Sequence, residues 1–144
     1  QEAVAAGVVS ALNRDDTLAS NHRGHGHAIA KGIPLDRFFL EIMGRTEGIC
    51  KGRGGSMHIA DMSVGMLGAN GIVGGGLPLG VGSALAHQVQ RNGRIAVVMF
   101  GDGAIAEGAL PLIGITPRLS SGSHKSRRLR SPGARSARAR RSAP

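Results

Sequence analysis

The spacing of apolar residues predicts two helices in the first third of the chain. Val4, Val8 and Leu12 recur at every fourth position among alanines, which predicts a helix over residues 2–13. Four large apolar side chains then fall on one helical face between a proline and a glycine, which predicts a second helix over residues 34–43. Both helices have one apolar face that must pack against something else.

The rest of the pattern predicts one further helix and a buried strand. Residues 17–31 break the helical period, and the glycine-rich residues 47–76 are typical of a long loop. Residues 77–90 predict a helix whose glycines allow a neighbouring backbone to approach closely. Residues 95–100 are six consecutive apolar residues, which predicts a strand buried on both faces. This order predicts an α/β fold, a parallel sheet flanked by helices.

Charge divides the chain into two parts. The formal charge of the 144 residues is +9, yet basic and acidic residues are equal in number up to residue 117. The excess therefore lies in residues 118–144, which contain no acidic or aromatic residue. Such a composition buries too little apolar surface to offset chain entropy. We expect a folded domain over residues 1–116 and a disordered basic tail over residues 117–144.

Cysteine content and hydropathy indicate the cellular compartment in which the protein is expected. Cys50 is the single cysteine, so an intrachain disulfide is excluded and a reducing compartment is favoured. The sequence has no apolar run near the roughly 20 residues that span a bilayer, and no signal-peptide pattern. We expect a soluble, cytoplasmic protein without a membrane partner.

A Gly-Asp-Gly corner follows the predicted strand at residues 101–103. Ligands of open α/β sheets collect beyond the carboxyl ends of the strands, and flanking glycines let a ligand approach Asp102 closely. A carboxylate in this position suits magnesium accompanied by phosphate oxygens. The alternative is that Asp102 only caps the following helix through its side chain.

Residues 21–27, NHRGHGH, gather three histidines and an arginine. Arg23 offers a planar fork of donors for phosphate oxygens, and His25 is able to donate to phosphate or exchange a proton near neutral pH. Three interpretations stay open at this point. The segment is an anion-binding site, a solvated loop, or a zinc site formed by His22, His25 and His27.

Four sequence blocks occur in order along the chain: HRGHGHAIAKG (22–32), GRGGSMHIAD (52–61), GANGIVGGGLPLGVGSALA (68–86) and VMFGDGAIAEG (98–108). Together they resemble one family, the alpha subunits of thiamine-diphosphate-dependent dehydrogenases, and the resemblance extends from residue 1 to about residue 110. These enzymes form the first component of 2-oxo acid and acetoin dehydrogenase complexes. Two of the motifs, RGHGHAIAKG and GMLGANGIVG, are most similar to the acetoin branch.

The resemblance implies a site for the diphosphate of the cofactor. Asp102 would bind the magnesium that bridges the two phosphoryl groups, and Gly103 and Ala104 would lend backbone groups to the same anion. His22 and Arg23 occupy the positions that hold the diphosphate in the family. His22 is a departure, because the family pattern has an aromatic residue there.

The resemblance also implies roles around the rings of the cofactor. His25 matches the active-site histidine near the diphosphate and the substrate. Gly71 and Val73 would offer main-chain groups to the aminopyrimidine, and Ile72 would wedge between the two rings and keep the cofactor bent. The implied activity is that of an oxidoreductase, which decarboxylates or cleaves a 2-oxo acid or acetoin and transfers the acyl group to a lipoyl group.

The implied partners are a beta subunit, which supplies the carboxylate that activates the aminopyrimidine, and a lipoyl-bearing acyltransferase. The family signature closes about 25 to 30 residues after the corner with an asparagine pair, but no asparagine follows Asn92 here. We therefore expect a truncated or frameshifted alpha subunit that is inactive alone. The alternatives are a non-catalytic subunit-pairing fragment and a nucleic-acid binder; the lack of aromatic residues after Phe100 argues against the latter.

Four other residues attract attention in the sequence. Cys50 has no motif around it and is expected to be a passive thiol. His58 either approaches the cofactor pocket or anchors its own loop. Glu107 is expected to be a solvated helix residue, and His87 a partly buried structural imidazole.

Overall fold

The structure is a computed structural model that describes residues 2–109, so the expected basic tail over residues 117–144 lies outside the described residues. Three strands are separated by helices along this part of the chain. No helix in it is both long enough and apolar enough to cross a membrane. The main elements are α1 (Glu2–Ser10), β1 (Thr17–Asn21), α2 (His25–Lys31), α3 (Leu35–Ile42), β2 (Met66–Asn70), α4 (Gly76–Gln90) and β3 (Ala96–Val98), with short 3-10 helices at Met62–Val64 and Asp102–Glu107.

The three strands form a parallel sheet in the order β2-β1-β3, which confirms the predicted α/β fold. The central strand β1 is buried, and Leu18 and Ala19 have no exposed surface. The strand predicted over residues 95–100 is present as the shorter β3. Its expected burial on both faces is wrong, because the three residues of β3 are only partly buried and the preceding Ile95 is half exposed.

Two strands and one helix lie where the sequence pattern predicts irregular structure. Residues 17–31 contain β1 and α2, and β2 lies inside the segment over residues 47–76. The sequence prediction is wrong there because both strands are only five residues long and neither alternates apolar with polar residues. Their extended backbone is stabilised by pairing with each other across the sheet.

The helices follow the sequence prediction closely. Helix α4 begins one residue before the predicted start and ends at the predicted residue, while α1 and α3 are shorter than predicted. The close approach expected of α4 is confirmed, since Gly80 is buried directly against the side chain of Val98. The main core cluster lies between the sheet and the other helices and contains Val9, Leu18, Ala28, Ile33, Phe38, Ile59, Val64 and Met66.

Buried polar residues tie the amino ends of β1 and β3 together. Asp16 accepts hydrogen bonds from the backbone N–H groups of Asn13 at 2.7 Å and Ile95 at 2.9 Å. Burial acts to raise the pKa of Asp16, but these backbone donors and the charge of Lys31 outweigh it and hold the pKa below its ordinary value.

His87 is the buried structural imidazole predicted from the sequence. Its Nε2 lies 3.1 Å from Thr17 Oγ1, and its Nδ1 lies 3.2 Å from Asn92 Nδ2. The ring therefore connects α4 with β1 and with the turn that leads to β3.

Candidate functional site

A cavity of about 330 Å³ lies at the carboxyl ends of all three strands. In the order β2-β1-β3, the strands β2 and β3 lie on opposite sides of the central strand β1. Open parallel sheets have a crevice at the carboxyl ends of the strands where the chain connections diverge to opposite sides in this way. Ser20, Asn21 and Asn70, at the ends of β1 and β2, line the cavity together with the residues after β3. The location expected for the site from the sequence therefore contains a cavity.

Two asparagines direct the chain around this cavity. Asn21 and Asn70 are the last residues of β1 and β2, and they pair across the parallel ladder. Asn21 Oδ1 accepts a hydrogen bond from the N–H of Arg23 at 2.9 Å, and Asn70 Oδ1 accepts one from the N–H of Ile72 at 2.8 Å. Such Asx turns bend the chain sharply, and both Arg23 and Ile72 line the cavity. Sequence reasoning missed both asparagines, although each precedes a predicted site residue by two positions.

The chain after β3 lines the cavity together with the segments that follow β1 and β2. The N–H of Met99 donates to the carbonyl oxygen of Ala19 at 2.8 Å, and the backbone then turns at Gly101. Asp102 opens a 3-10 helix whose N-cap is Gly101, and no side chain caps that helix. The alternative role of Asp102 as a capping residue is therefore wrong. Its carboxylate is exposed and lines the cavity.

Seven of the nine site residues predicted from the sequence line this cavity, and two do not. His25 lines an adjoining cavity of about 390 Å³, which shares His22 and Arg23 with the first. Gly71 lies against His58, because a Cβ added at Gly71 would be 3.3 Å from His58 Cε1. The seven residues are His22, Arg23, Ile72, Val73, Asp102, Gly103 and Ala104.

Charged and apolar groups face each other in the first cavity. The guanidinium of Arg23 makes no ion pair or side-chain hydrogen bond with residues 2–109, and Asp102 is the acidic residue in the lining. Ile72 is 72% exposed although it is a large aliphatic residue. Ala104 is buried, and its N–H donates to the carbonyl oxygen of Gly101 at 3.0 Å, so this donor is engaged within the corner.

The three histidines of the NHRGHGH segment have separate surroundings. His22 is exposed, His25 Nε2 lies 2.8 Å from Ser56, and His27 Nδ1 lies 2.9 Å from Ser20 Oγ. Within the described residues, no group of three His, Cys, Asp or Glu side chains is arranged to hold a metal ion. The zinc alternative is therefore wrong. The solvated-loop alternative is also wrong, because the segment ends β1 and begins α2 and its last histidine is buried.

Glu41 organises the loop that carries Ser56, and sequence reasoning missed it. This carboxylate has no exposed surface and accepts four backbone hydrogen bonds of 2.7 to 3.0 Å. Burial acts to raise the pKa of Glu41, but the four donors outweigh it and hold the pKa below its ordinary value. The sequence feature that could have indicated a buried carboxylate is an acidic residue one turn after Phe38 on the apolar face of α3. The four donors are the N–H groups of Cys50, Gly52, Gly54 and Gly55.

Cys50 and Glu107 do not line either cavity. Cys50 Sγ lies 3.3 Å from the backbone nitrogen of Ala60 and 3.4 Å from its oxygen, so the thiol ties the loop to the segment before β2. Glu107 is exposed, as predicted.

The parallel sheet and the crevice at its carboxyl edge define an α/β protein whose crevice is lined by a guanidinium, a carboxylate and exposed aliphatic side chains. The chain belongs to the dehydrogenase E1 component family, which matches residues 1–111. This family consists of thiamine-diphosphate-dependent oxidoreductases of the 2-oxo acid and acetoin dehydrogenase complexes. The resemblance found in the sequence motifs is thus confirmed.

Curated relatives agree with this assignment. The alpha subunit of acetoin:2,6-dichlorophenolindophenol oxidoreductase from Bacillus subtilis is 56% identical over 108 residues, which are 75% of this chain and 32% of the relative. Its counterpart from Cupriavidus necator is 50% identical over the same shares of both chains. The pyruvate dehydrogenase E1 component subunit alpha of Zymomonas mobilis is 42% identical over 75% of this chain and 31% of its own. The chain therefore spans about a third of the length of these relatives.

Proposed function

We propose that this chain forms part of the alpha subunit of a thiamine-diphosphate-dependent dehydrogenase and contributes one wall of its cofactor site. One observation supports this most strongly. A guanidinium without an ion pair or side-chain hydrogen bond among residues 2–109, an exposed carboxylate at a Gly-Asp-Gly corner and two exposed aliphatic side chains meet in one cavity at the carboxyl edge of the sheet.

The residues of the cavity fit the chemical parts of this cofactor. The guanidinium of Arg23 offers a fork of donors that suits phosphate oxygens, and magnesium usually takes one or two protein carboxylates together with such oxygens. Asp102 is the candidate for that carboxylate. Ile72 and Val73, which are 72% and 53% exposed, offer apolar surface for the rings. When bound, thiamine diphosphate would supply a thiazolium ring that serves as the electron sink for decarboxylation or carbon–carbon cleavage.

The roles of individual residues follow from this fit. Arg23 and His22 hold the diphosphate, Asp102 holds magnesium, and Gly103 allows the anion to approach the corner because no side chain stands in the way. Ile72 separates the rings and excludes water from them. These steps concern binding and orientation, which are the protein's share of catalysis with this kind of cofactor.

The activity proposed for the whole enzyme is oxidative cleavage of acetoin with transfer of the acyl group to a lipoyl group. Higher identity to the two acetoin alpha subunits than to the pyruvate dehydrogenase subunits supports this choice. Decarboxylation of a 2-oxo acid is the second candidate. A beta subunit and a lipoyl-bearing acyltransferase are the proposed partners, in the cytoplasm.

Calorimetric titration of the full chain with thiamine diphosphate, with and without magnesium, tests the site. We expect magnesium-dependent binding that Asp102→Asn weakens at least about tenfold, or about 1.4 kcal/mol, because one ligand charge is lost. Glu107→Gln is the matched control, since it removes an exposed carboxylate from the same 3-10 helix outside the cavity lining. Equal affinities of wild type and Asp102→Asn, or the absence of magnesium-dependent binding, would refute the proposal.

A further inference from the structure

The ring of His25 is held by Ser56. His25 Nε2 lies 2.8 Å from the backbone carbonyl oxygen of Ser56 and 2.8 Å from its Oγ. A carbonyl oxygen can only accept a hydrogen bond, so the proton of a neutral His25 must be on Nε2. Nδ1 makes no hydrogen bond with the part of the chain that the structure describes.

A second contact fixes the plane of the same ring. Phe38 packs edge-to-face against His25, with ring centroids 5.7 Å apart and an interplanar angle of 88°. Phe38 is buried on α3, whereas Ser56 belongs to the glycine-rich loop after it. Two separate elements therefore hold the imidazole, and Nδ1 is the nitrogen that they leave without a partner.

Glu41 connects these two elements. It lies on α3 one turn after Phe38, and its carboxylate accepts the N–H groups of four loop residues between 50 and 55. The last of these donors is Gly55, which directly precedes Ser56. One helix therefore supplies the ring contact and also fixes the loop that carries the hydrogen-bond acceptor.

We propose that Glu41 and Ser56 are positioning residues that hold His25 in the Nε2–H tautomer and leave Nδ1 as the nitrogen free to accept a proton. Ser56 acts directly, and Glu41 acts through the backbone of residues 50–55. The role of Nδ1 in proton exchange with a ligand rests on the proposed function, since it requires substrate or cofactor near His25. The tautomer itself does not depend on any ligand.

Long-range proton–nitrogen NMR of the ¹⁵N-labelled full chain, without cofactor, tests the tautomer. The spectrum is recorded above the ordinary histidine pKa of about 6.5, where the two ring nitrogens of a neutral imidazole have well-separated ¹⁵N shifts. The signals of His25 are assigned by their loss in His25→Gln. We expect a protonated Nε2 and an unprotonated Nδ1, and the opposite pattern would overturn the proposal.

Variants test the two positioning residues. Glu41→Gln replaces two accepting oxygens with one and turns an amide NH₂ toward backbone donors, so we expect the loop to shift and His25 to become a mixture of tautomers. Glu47→Gln is the matched control because Glu47 is exposed and its carboxylate accepts a hydrogen bond from Thr46 Oγ1 of the neighbouring residue. A folded Glu41→Gln chain with the wild-type His25 spectrum would overturn the role of Glu41.

Ser56 gives a second route that does not depend on the folding of Glu41→Gln. Ser56→Ala removes the Oγ acceptor and leaves the backbone carbonyl in place, so we expect the Nε2–H tautomer to persist while the ¹⁵N shift of Nε2 changes because one of its two acceptors is lost, and Ser56→Thr to restore the shift. Ser63→Ala, at an exposed serine, should leave it unchanged. A Ser56→Ala spectrum identical to that of wild type would overturn the role of the Ser56 hydroxyl, and a shift of the proton to Nδ1 in this variant would overturn the role of the Ser56 carbonyl. Because these spectra use no cofactor, failure of thiamine diphosphate to bind would refute the proposed function and leave the tautomer standing.

Discussion

Two glycines of α4 provide a pair of substitutions with different expected effects on stability. Gly80 is buried, and a Cβ added there would overlap Cγ2 of Val98 on β3. Gly82 lies on the same helix, is exposed, and has nothing within 4 Å of an added Cβ. Gly80→Ala and Gly82→Ala therefore make the same chemical change with and without a steric neighbour.

The magnitudes follow from two competing terms. Replacing glycine by alanine within a helix stabilises it by about 0.8–1.0 kcal/mol, and this term is common to both variants. Overpacking a well-filled site typically costs about 1–3 kcal/mol. We expect Gly82→Ala to raise the free energy of unfolding by about 1 kcal/mol. Gly80→Ala should leave it unchanged or lower it by up to about 2 kcal/mol, and the difference between the variants isolates the overlap.

Urea denaturation of the full chain, followed by circular dichroism, measures both values, and an unchanged m-value shows that the midpoints can be compared. Val98→Ala gives a further check because it removes the overlapping methyl groups. Its cost should be smaller in the Gly80→Ala chain than in wild type. If Gly80→Ala stabilises as much as Gly82→Ala, the close approach of α4 to β3 is refuted.

Two other predictions concern buried backbone and carboxylate contacts. Because the pKa values of Asp16 and Glu41 are lowered by folding, the stability that they contribute is present above their unfolded pKa of about 4 and is lost as pH falls through the lower folded values. Asp16→Asn should therefore lower the free energy of unfolding by about 1.5–3 kcal/mol near pH 7. Because the variant no longer has this carboxylate, its free energy of unfolding should also decrease less than that of wild type as the pH falls. Urea denaturation at several pH values measures this, and an equal decrease in both proteins would contradict the prediction. Gly65→Ala should destabilise more than Gly93→Ala in the same assay: φ is positive at both glycines, but only at Gly65 would the new Cβ meet the carbonyl oxygen of Asp16. Equal losses would show that this contact is not tight.

The sequence predicted those elements whose own residues carry a clear period. Helix α4 has enough turns for its pattern to be recognised, and β3 follows from an apolar run that ends in glycine. Strands β1 and β2 were missed because their sequences, TLASN and MLGAN, contain small and polar residues with no alternation. Pairing partners distant in sequence stabilise them, and local propensity does not encode such pairing.

In the candidate site, too, local sequence patterns were predictable and contacts between distant segments were not. The corner at Asp102 was predictable because a strand, a glycine and a carboxylate are adjacent in the sequence. Glu41 and Ser56 were not, since their roles depend on a loop that folds back onto α3. The partners of Glu41 are backbone N–H groups of the loop, and no residue type in the sequence marks such donors.

An irregularity in the sheet explains why Arg23 and Ile72 reach the same cavity. The β1–β2 register pairs Leu18 with Met66 but Ala19 with Gly68, so β2 contains one extra residue at this point. Without that residue, Asn21 would lie opposite Ala69, and the last side chain of β2 would face the other side of the sheet. A bulge of this kind re-aims the side chains that follow it. It brings Asn70 opposite Asn21, so that two Asx turns of the same type begin at the same level and direct both chains to the cavity.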